Sequence, residues 1–178
     1  MHKNLQVARY LAFDLFAAIV SWTLFYIYRK IYIEPEKFGY KIPVEFDQNF
    51  YMALIFIPVF WITIYFITGQ YTNIYRKSRL LELGKTLMTS IGGVTVLFFL
   101  FLLNDWIPDY RKYYNLYITL FSLHFGFTYL FRLILTTRTI HRIHHRIIGF
   151  NTIIIGANEK AVRPVSYTHL TLPTIYSV

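Results

Sequence analysis

Four long apolar stretches, near residues 7–28, 50–67, 83–103 and 113–135, constrain this chain more than any motif in it. Each is long enough to cross a hydrocarbon layer as a helix, which takes about 20 residues. Lipid offers no partner to an unpaired backbone amide, so these stretches must be helical if they cross it. A buried soluble bundle would carry a polar stripe along each helix, whereas these stretches are apolar nearly all round. Composition agrees. Apolar residues are 56% of the chain and charged residues 15%, against roughly 45–50% and 25% in soluble domains. Aromatic residues reach 20% and suit side chains that settle at lipid interfaces. The first stretch is too long for a signal core and no small-residue cleavage site follows it, so it is expected to stay as an anchor. Cysteine is absent, which removes disulfides, thiolate metal ligands and cysteine nucleophiles.

Lysine and arginine orient the spans. The amino-terminal tail holds Lys3 and Arg9. The connection between spans two and three holds Arg76, Lys77, Arg79 and Lys85, and the segment after span four holds Arg132, Arg138, Arg142, Arg146, Lys160 and Arg163. Only Glu82 and Glu159 oppose these twelve cations. The alternate connections balance Arg29, Lys30, Lys37, Lys41, Arg111 and Lys112 against Glu34, Glu36, Glu45, Asp47, Asp105 and Asp109. Basic loops stay in the cytoplasm, so both termini are expected there. The net charge of +9 then faces a membrane, with anionic headgroups or lipid phosphates as its counterpart, and is no nucleic-acid footprint.

Polar residues inside the spans are few. Asp14 lies about two turns into span one, where an ionised carboxylate is costly unless paired. Arg132, at a similar depth in span four, is its natural partner. A structural ion pair, or a protonated carboxyl bonded to a hydroxyl, outweighs a proton or lipid-phosphate site, because a single acid makes no relay. His124, near the middle of span four, reads as a hydrogen-bonded packing residue. Thr89, Ser90, Gly92 and Gly93 in span three, with Ser122 and Gly126 in span four, are small residues that let helices approach, so these two spans are expected to pack together. Pro58 is expected to kink span two. Past span four, His141, His144 and His145 alternate with Arg138, Arg142 and Arg146. Two histidines can share a helix face, but no carboxylate or cysteine completes a metal set, and a headgroup-contacting helix is the better reading.

Residues 151–161 change character. Asn151-Thr-Ile-Ile-Ile-Gly-Ala-Asn-Glu-Lys-Ala161 reads as a strand followed by a glycine turn, the opening of an α/β domain that needs on the order of 100 further residues. Gly156, Asn158 and Ala161 fill the places of a dinucleotide fingerprint. Asn158 stands where a glycine would let backbone approach a pyrophosphate, so bound nucleotide is not expected. The stretch Val165-Ser-Tyr-Thr-His-Leu170 resembles a translated sequencing-library adaptor, and 163–178 is set aside as a non-native tail. The organisation expected is therefore a four-helix transmembrane region over 1–136, a basic juxtamembrane segment over 137–150, the start of a truncated Rossmann-like domain over 151–162, and that tail. The fold class is all-α membrane, four transmembrane helices with both termini cytoplasmic, followed by the first strand of the truncated α/β domain.

Taken together, Gly69-Gln-Tyr71, Arg76-Lys-Ser-Arg-Leu-Leu-Glu-Leu83, the basic run Arg138 to Arg146 and Ile155-Gly-Ala-Asn-Glu-Lys-Ala161 follow the spans in a telling order. In that order the chain resembles the amino-terminal part of bacterial polyprenyl-phosphate glycosylphosphotransferases, over about residues 1–162. These multi-span enzymes begin exopolysaccharide, capsule or O-antigen chains. The resemblance implies a parent enzyme in the bacterial inner membrane that moves a sugar-1-phosphate from a nucleotide sugar onto polyprenyl phosphate, with magnesium assisting. It also implies that the catalytic acidic pair lies in a later domain, so no catalytic, cofactor-binding or metal residue is assigned here and the fragment alone is expected to be inactive. Its partners are the bilayer and, for the parent, the two substrates; a homo-oligomer is compatible with the spans. Two other classes compete. A small four-span transporter or flippase subunit would need paired polar groups at mid-bilayer, and a structural adaptor would dock a partner through the basic face.

Overall fold

The structure, a computed structural model, describes residues 3–35, 43–72, 78–102 and 110–145. Every regular element among them is helical. The candidate strand at 151–161, the terminal tail, and Arg76 and Lys77 lie outside the described residues. Helix α1 runs Lys3–Tyr28 and continues as a π turn over Arg29–Ile33. Helix α2 covers Gln48–Ile67, α3 covers Arg79–Leu97 with a π turn at Phe98–Leu102, and α4 covers Tyr110–His144. All four are long and apolar enough to cross a membrane, as the sequence leads one to expect. The chain has the build of a multi-pass membrane protein of the all-α class.

Local chemistry sets the ends. Asp47 starts α2 by accepting the amide of Phe50 on Oδ1 at 2.9 Å, and Ser78 starts α3 by accepting that of Leu81 on Oγ at 3.2 Å. Each side chain occupies one of the amides left free in a first turn. Helix α2 runs through Pro58 as one continuous element to Ile67 and is closed by a turn at Gly69, which adopts a left-handed φ of 65°. The amide of Gly69 donates to the carbonyl of Phe66 at 3.1 Å and that of Gln70 to Tyr65 at 2.9 Å, closing the last turn in a Schellman arrangement. A glycine is needed here because a Cβ disfavours positive φ. The turn reverses the chain and sends Gln70 and Tyr71 back into the bundle, where both are buried.

Helix α1 lies against α2 and α4, and α3 lies against α4 with a lighter contact to α2. The inward stripe of α4 is Leu116, Leu120, His124, Thr128, Arg132 and Thr136, all buried and repeating every four residues, the spacing of one helix face. Ser122 and Gly126 fall between those positions and are exposed. The small pair expected to meet α3 therefore looks outward. The close approach is made elsewhere. A Cβ on Gly93 would run into the Trp61 ring of α2, while one on Gly92 or Gly126 would meet nothing within 4 Å. Large apolar side chains such as Ile55, Phe66, Ile67 and Met88 point outward, more than two-thirds exposed, as a lipid-facing surface requires.

The bundle is longer than a bilayer is thick. Helix α4 has 35 residues and spans about 52 Å at 1.5 Å per residue, against roughly 30 Å of hydrocarbon. It passes residue 136 without a break and runs to His144, so the described part of the basic segment continues the span. At the end formed by the close of α1 and the start of α2, Tyr26, Phe46 and Phe50 stack with centroids 4.6–6.1 Å apart. The Tyr26 hydroxyl donates to the carbonyl of Glu45 at 3.0 Å. Gly93→Ala is expected to destabilise the bundle by about 1–3 kcal/mol through overpacking against Trp61. Gly92→Ala should leave stability unchanged or slightly raised, both read by denaturant-induced unfolding in detergent micelles.

Candidate functional site

A guanidinium with almost no solvent exposure organises the interior. Arg132 of α4 and Asp14 of α1 are each 1% exposed, and the pair is bidentate. Nε donates to Asp14 Oδ1 at 2.9 Å and Nη2 to Oδ2 at 2.8 Å. Two parallel bonds to an ionised partner are the strong form of this contact. On the other side of the guanidinium, Nη1 lies 3.5 Å from Glu82 Oε1 of α3. The Tyr65 ring of α2 faces it from below, 4.2 Å from Cζ to the ring centroid, a cation–π contact strengthened by the dry setting. All four helices thus reach one cation.

Hydrogen bonds extend the network in both directions. Tyr71, carried inward by the Gly69 turn, donates its hydroxyl to Asp14 Oδ2 at 3.0 Å. Burial pushes its phenol well above the usual tyrosine range and the nearby Asp14 carboxylate adds to this, so it stays protonated and acts as the donor. Gln70 donates from Nε2 to Thr89 Oγ1 at 3.0 Å, and Thr89 in turn donates to the carbonyl of Lys85 at 2.7 Å. The hydroxyls of Tyr10 and Thr136 meet at 2.9 Å, tying the start of α1 to the end of α4. Deeper in, the Tyr65 hydroxyl sits 2.7 Å from His124 Nε2, and the His124 ring stacks on Trp61 with centroids 3.5 Å apart. His124 is buried and held by packing and hydrogen bonds.

Glu82 departs from its sequence reading. It counts as a loop acid among the cations after span two, yet α3 begins at Arg79 and buries Glu82 completely. The signal was present at helical spacing. Glu82, Thr86, Thr89, Ser90, Gly93, Val94 and Leu97 form the one buried face of α3, a polar-to-small stripe aimed at the bundle. Arg132 likewise belongs to the interior and adds nothing to the surface charge of the basic segment. The turn residues Gly69, Gln70 and Tyr71 act as a latch that closes the network, a role no spacing in the sequence reveals.

Chemically the arrangement sets one buried cation between two buried carboxylates carried by other helices. Among the described residues no group of three metal-ligating side chains gathers; His141 and His145 approach with ring centroids 4.1 Å apart. A separate cavity of about 490 Å³ opens at the opposite end between α1 and α2, lined by Trp22, Tyr26, Phe50 and Phe56 with Arg29 and Glu34 at its polar side. There Glu34 pairs with Lys30 at 2.9 Å and Arg29 at 3.6 Å.

Removing the shared cation leaves two buried carboxylates, so Arg132→Leu is expected to cost about 3–5 kcal/mol. Asp14→Leu should cost less, because Glu82 still faces the guanidinium, and should show as poorer helix assembly and yield. Tyr71→Phe removes one bond to a charged acceptor, worth about 1.5–3 kcal/mol. The order Arg132→Leu, then Asp14→Leu, is checked by unfolding midpoints in one detergent; equal midpoints for these two variants would show that Glu82 shares none of the charge.

Comparison with protein-family models, curated proteins and solved structures finds no match to this chain.

Proposed function

We propose that this chain is the membrane-anchoring amino-terminal part of a bacterial sugar-1-phosphate transferase, one that loads a sugar phosphate from a nucleotide sugar onto polyprenyl phosphate to begin exopolysaccharide, capsule or O-antigen synthesis. The support is the order of parts in the sequence: spans, the Gly69-Gln-Tyr71 turn, a basic connection, a basic helix, and a Rossmann-like opening at Asn151. On this reading the chain sits in the bacterial inner membrane with both termini in the cytoplasm, and magnesium-assisted chemistry resides in a later domain. The bundle contributes a rigid platform. Its buried cation is held by two carboxylates from α1 and α3 and an aromatic ring from α2, which suits an element that holds a domain in place.

A carrier is the second reading, and one observation favours it. The interior is more polar than the spans suggest in sequence, with Asp14, Glu82, Arg132, Tyr71 and Gln70 buried together. Intramembrane ionisable groups mark pathways as well as clamps. The platform reading is preferred because Arg132 is bonded at both Nε and Nη2 by a single carboxylate, a tight pair with no step along a path.

Two measurements check the proposal. Membranes bearing this chain alone should transfer no label from a radiolabelled nucleotide sugar into lipid, and the full reading frame should do so; label entering lipid with the chain alone overturns the anchor reading. Because the chain has no cysteine, single cysteines report sidedness directly. A membrane-impermeant maleimide on intact cells should label Glu45→Cys and spare Ser78→Cys and Arg142→Cys. The reverse pattern overturns the orientation.

A further inference from the structure

The ends of α1 and α4 that extend past the Arg132 network enclose a second groove, of about 620 Å³, whose lining includes Arg9, Phe13, Leu135, Arg138, His141 and Arg142. Its chemistry is one-sided. Three guanidiniums, all exposed, line it, and no acidic side chain does. Among the described residues none of the three has an ion-pair partner, whereas Arg132, about 9 Å deeper along α4 at 1.5 Å per residue, is paired with two carboxylates. The cationic mouth is therefore uncompensated while the interior is closed.

Both walls repeat one pattern along their helices. On α1, Arg9 is followed one turn inward by Phe13 and a further turn inward by Phe16. On α4, Arg142 is followed by Arg138, then Leu135 and Phe131. Residues three and four apart share a helix face, so each wall runs from cation to aromatic or aliphatic side chain in the direction of the bilayer. The two walls meet where the Phe131 ring lies 5.5 Å from Phe13 and 5.6 Å from Phe16, centroid to centroid. Phe16 is still 53% exposed, so the apolar furrow stays open toward lipid. A free anion would use the guanidiniums and leave the furrow idle. An acyl chain with a neutral headgroup would do the opposite. Only an anionic amphiphile uses both.

We propose that the α1–α4 groove is a binding site for the phosphate headgroup of an anionic membrane lipid, with Arg9, Arg138 and Arg142 taking the phosphate oxygens and Phe13, Phe16 and Phe131 carrying the first part of the chain. The guanidinium fork suits phosphate oxygens in pairs, and basic pockets between spans at a membrane surface bind lipid headgroups in this way. The site depends only on the bundle spanning a bilayer and stands apart from the transferase reading.

Native mass spectrometry of the full chain from detergent, with dioleoyl phosphatidic acid or dioleoyl phosphatidylcholine added, tests it. Phosphatidic acid should be retained and phosphatidylcholine lost. The double variant Arg138→Gln with Arg142→Gln should retain about tenfold less phosphatidic acid, the loss of one charge-assisted contact or more. Arg9→Gln, on the other wall, should weaken retention as well and serves if the double variant does not fold. Lys85→Gln, an exposed cation on α3, should change nothing. Equal retention of the two lipids, or unchanged retention in the Arg138/Arg142 and Arg9 variants, overturns the site. Displacement of the lipid by equimolar inorganic phosphate assigns the groove to the free anion and overturns the lipid reading.

Discussion

One cation sets the terms for the whole bundle. A guanidinium buried within membrane-spanning helices is tolerable only where it is paired, and Arg132 meets that demand with a group from every other helix: Asp14, Tyr65 and Glu82. Packing between helices in lipid lacks the hydrophobic drive available in water. Directional contacts of this kind therefore decide which faces meet and in what register. Buried pairs are weak evidence for stability but good devices for selecting one arrangement. A rotation of α4 by one residue would withdraw Arg132 from both carboxylates together.

The remaining contacts divide the bundle into two unlike ends. Around Arg132 the interior is dense and polar, extended by Tyr71, Gln70 and the Tyr10–Thr136 bond. Around the α1–α2 connection it is aromatic, with Tyr26, Phe46 and Phe50 in mutual contact. Between them Trp61 is trapped, stacked on His124 with its ring filling the space that Gly93 leaves open. The turn at Gly69 connects local and global structure most directly. A left-handed φ at one residue places two polar side chains against two different helices.

Much of the fold was legible because it follows from solvent alone. A stretch of about 20 apolar residues in lipid has to satisfy its own amides, so the four helices needed no knowledge of one another. The helix limits were less legible. Helix α1 begins at Lys3 and α4 runs to His144, beyond the apolar runs, because charged turns at a membrane surface can stay helical. Depth along the helices pointed Asp14 toward Arg132. Nothing in one dimension indicated that Glu82 and Tyr71 share the same charge, since Glu82 sits among cations in the sequence and Tyr71 lies beyond the end of its helix.

The sequence by itself determined the number of helices, their all-α membrane class and the balance of basic residues among the connections. These depend on local composition, which lipid and water read residue by residue. The tertiary structure decided which polar groups became interior. It sent Glu82 inward and Ser122 and Gly126 outward, brought Tyr71 onto Asp14, and set Arg9 beside Arg138 and Arg142 across a groove. Those outcomes depend on helix rotation and pairing, and the cost of leaving a buried charge alone selects among them.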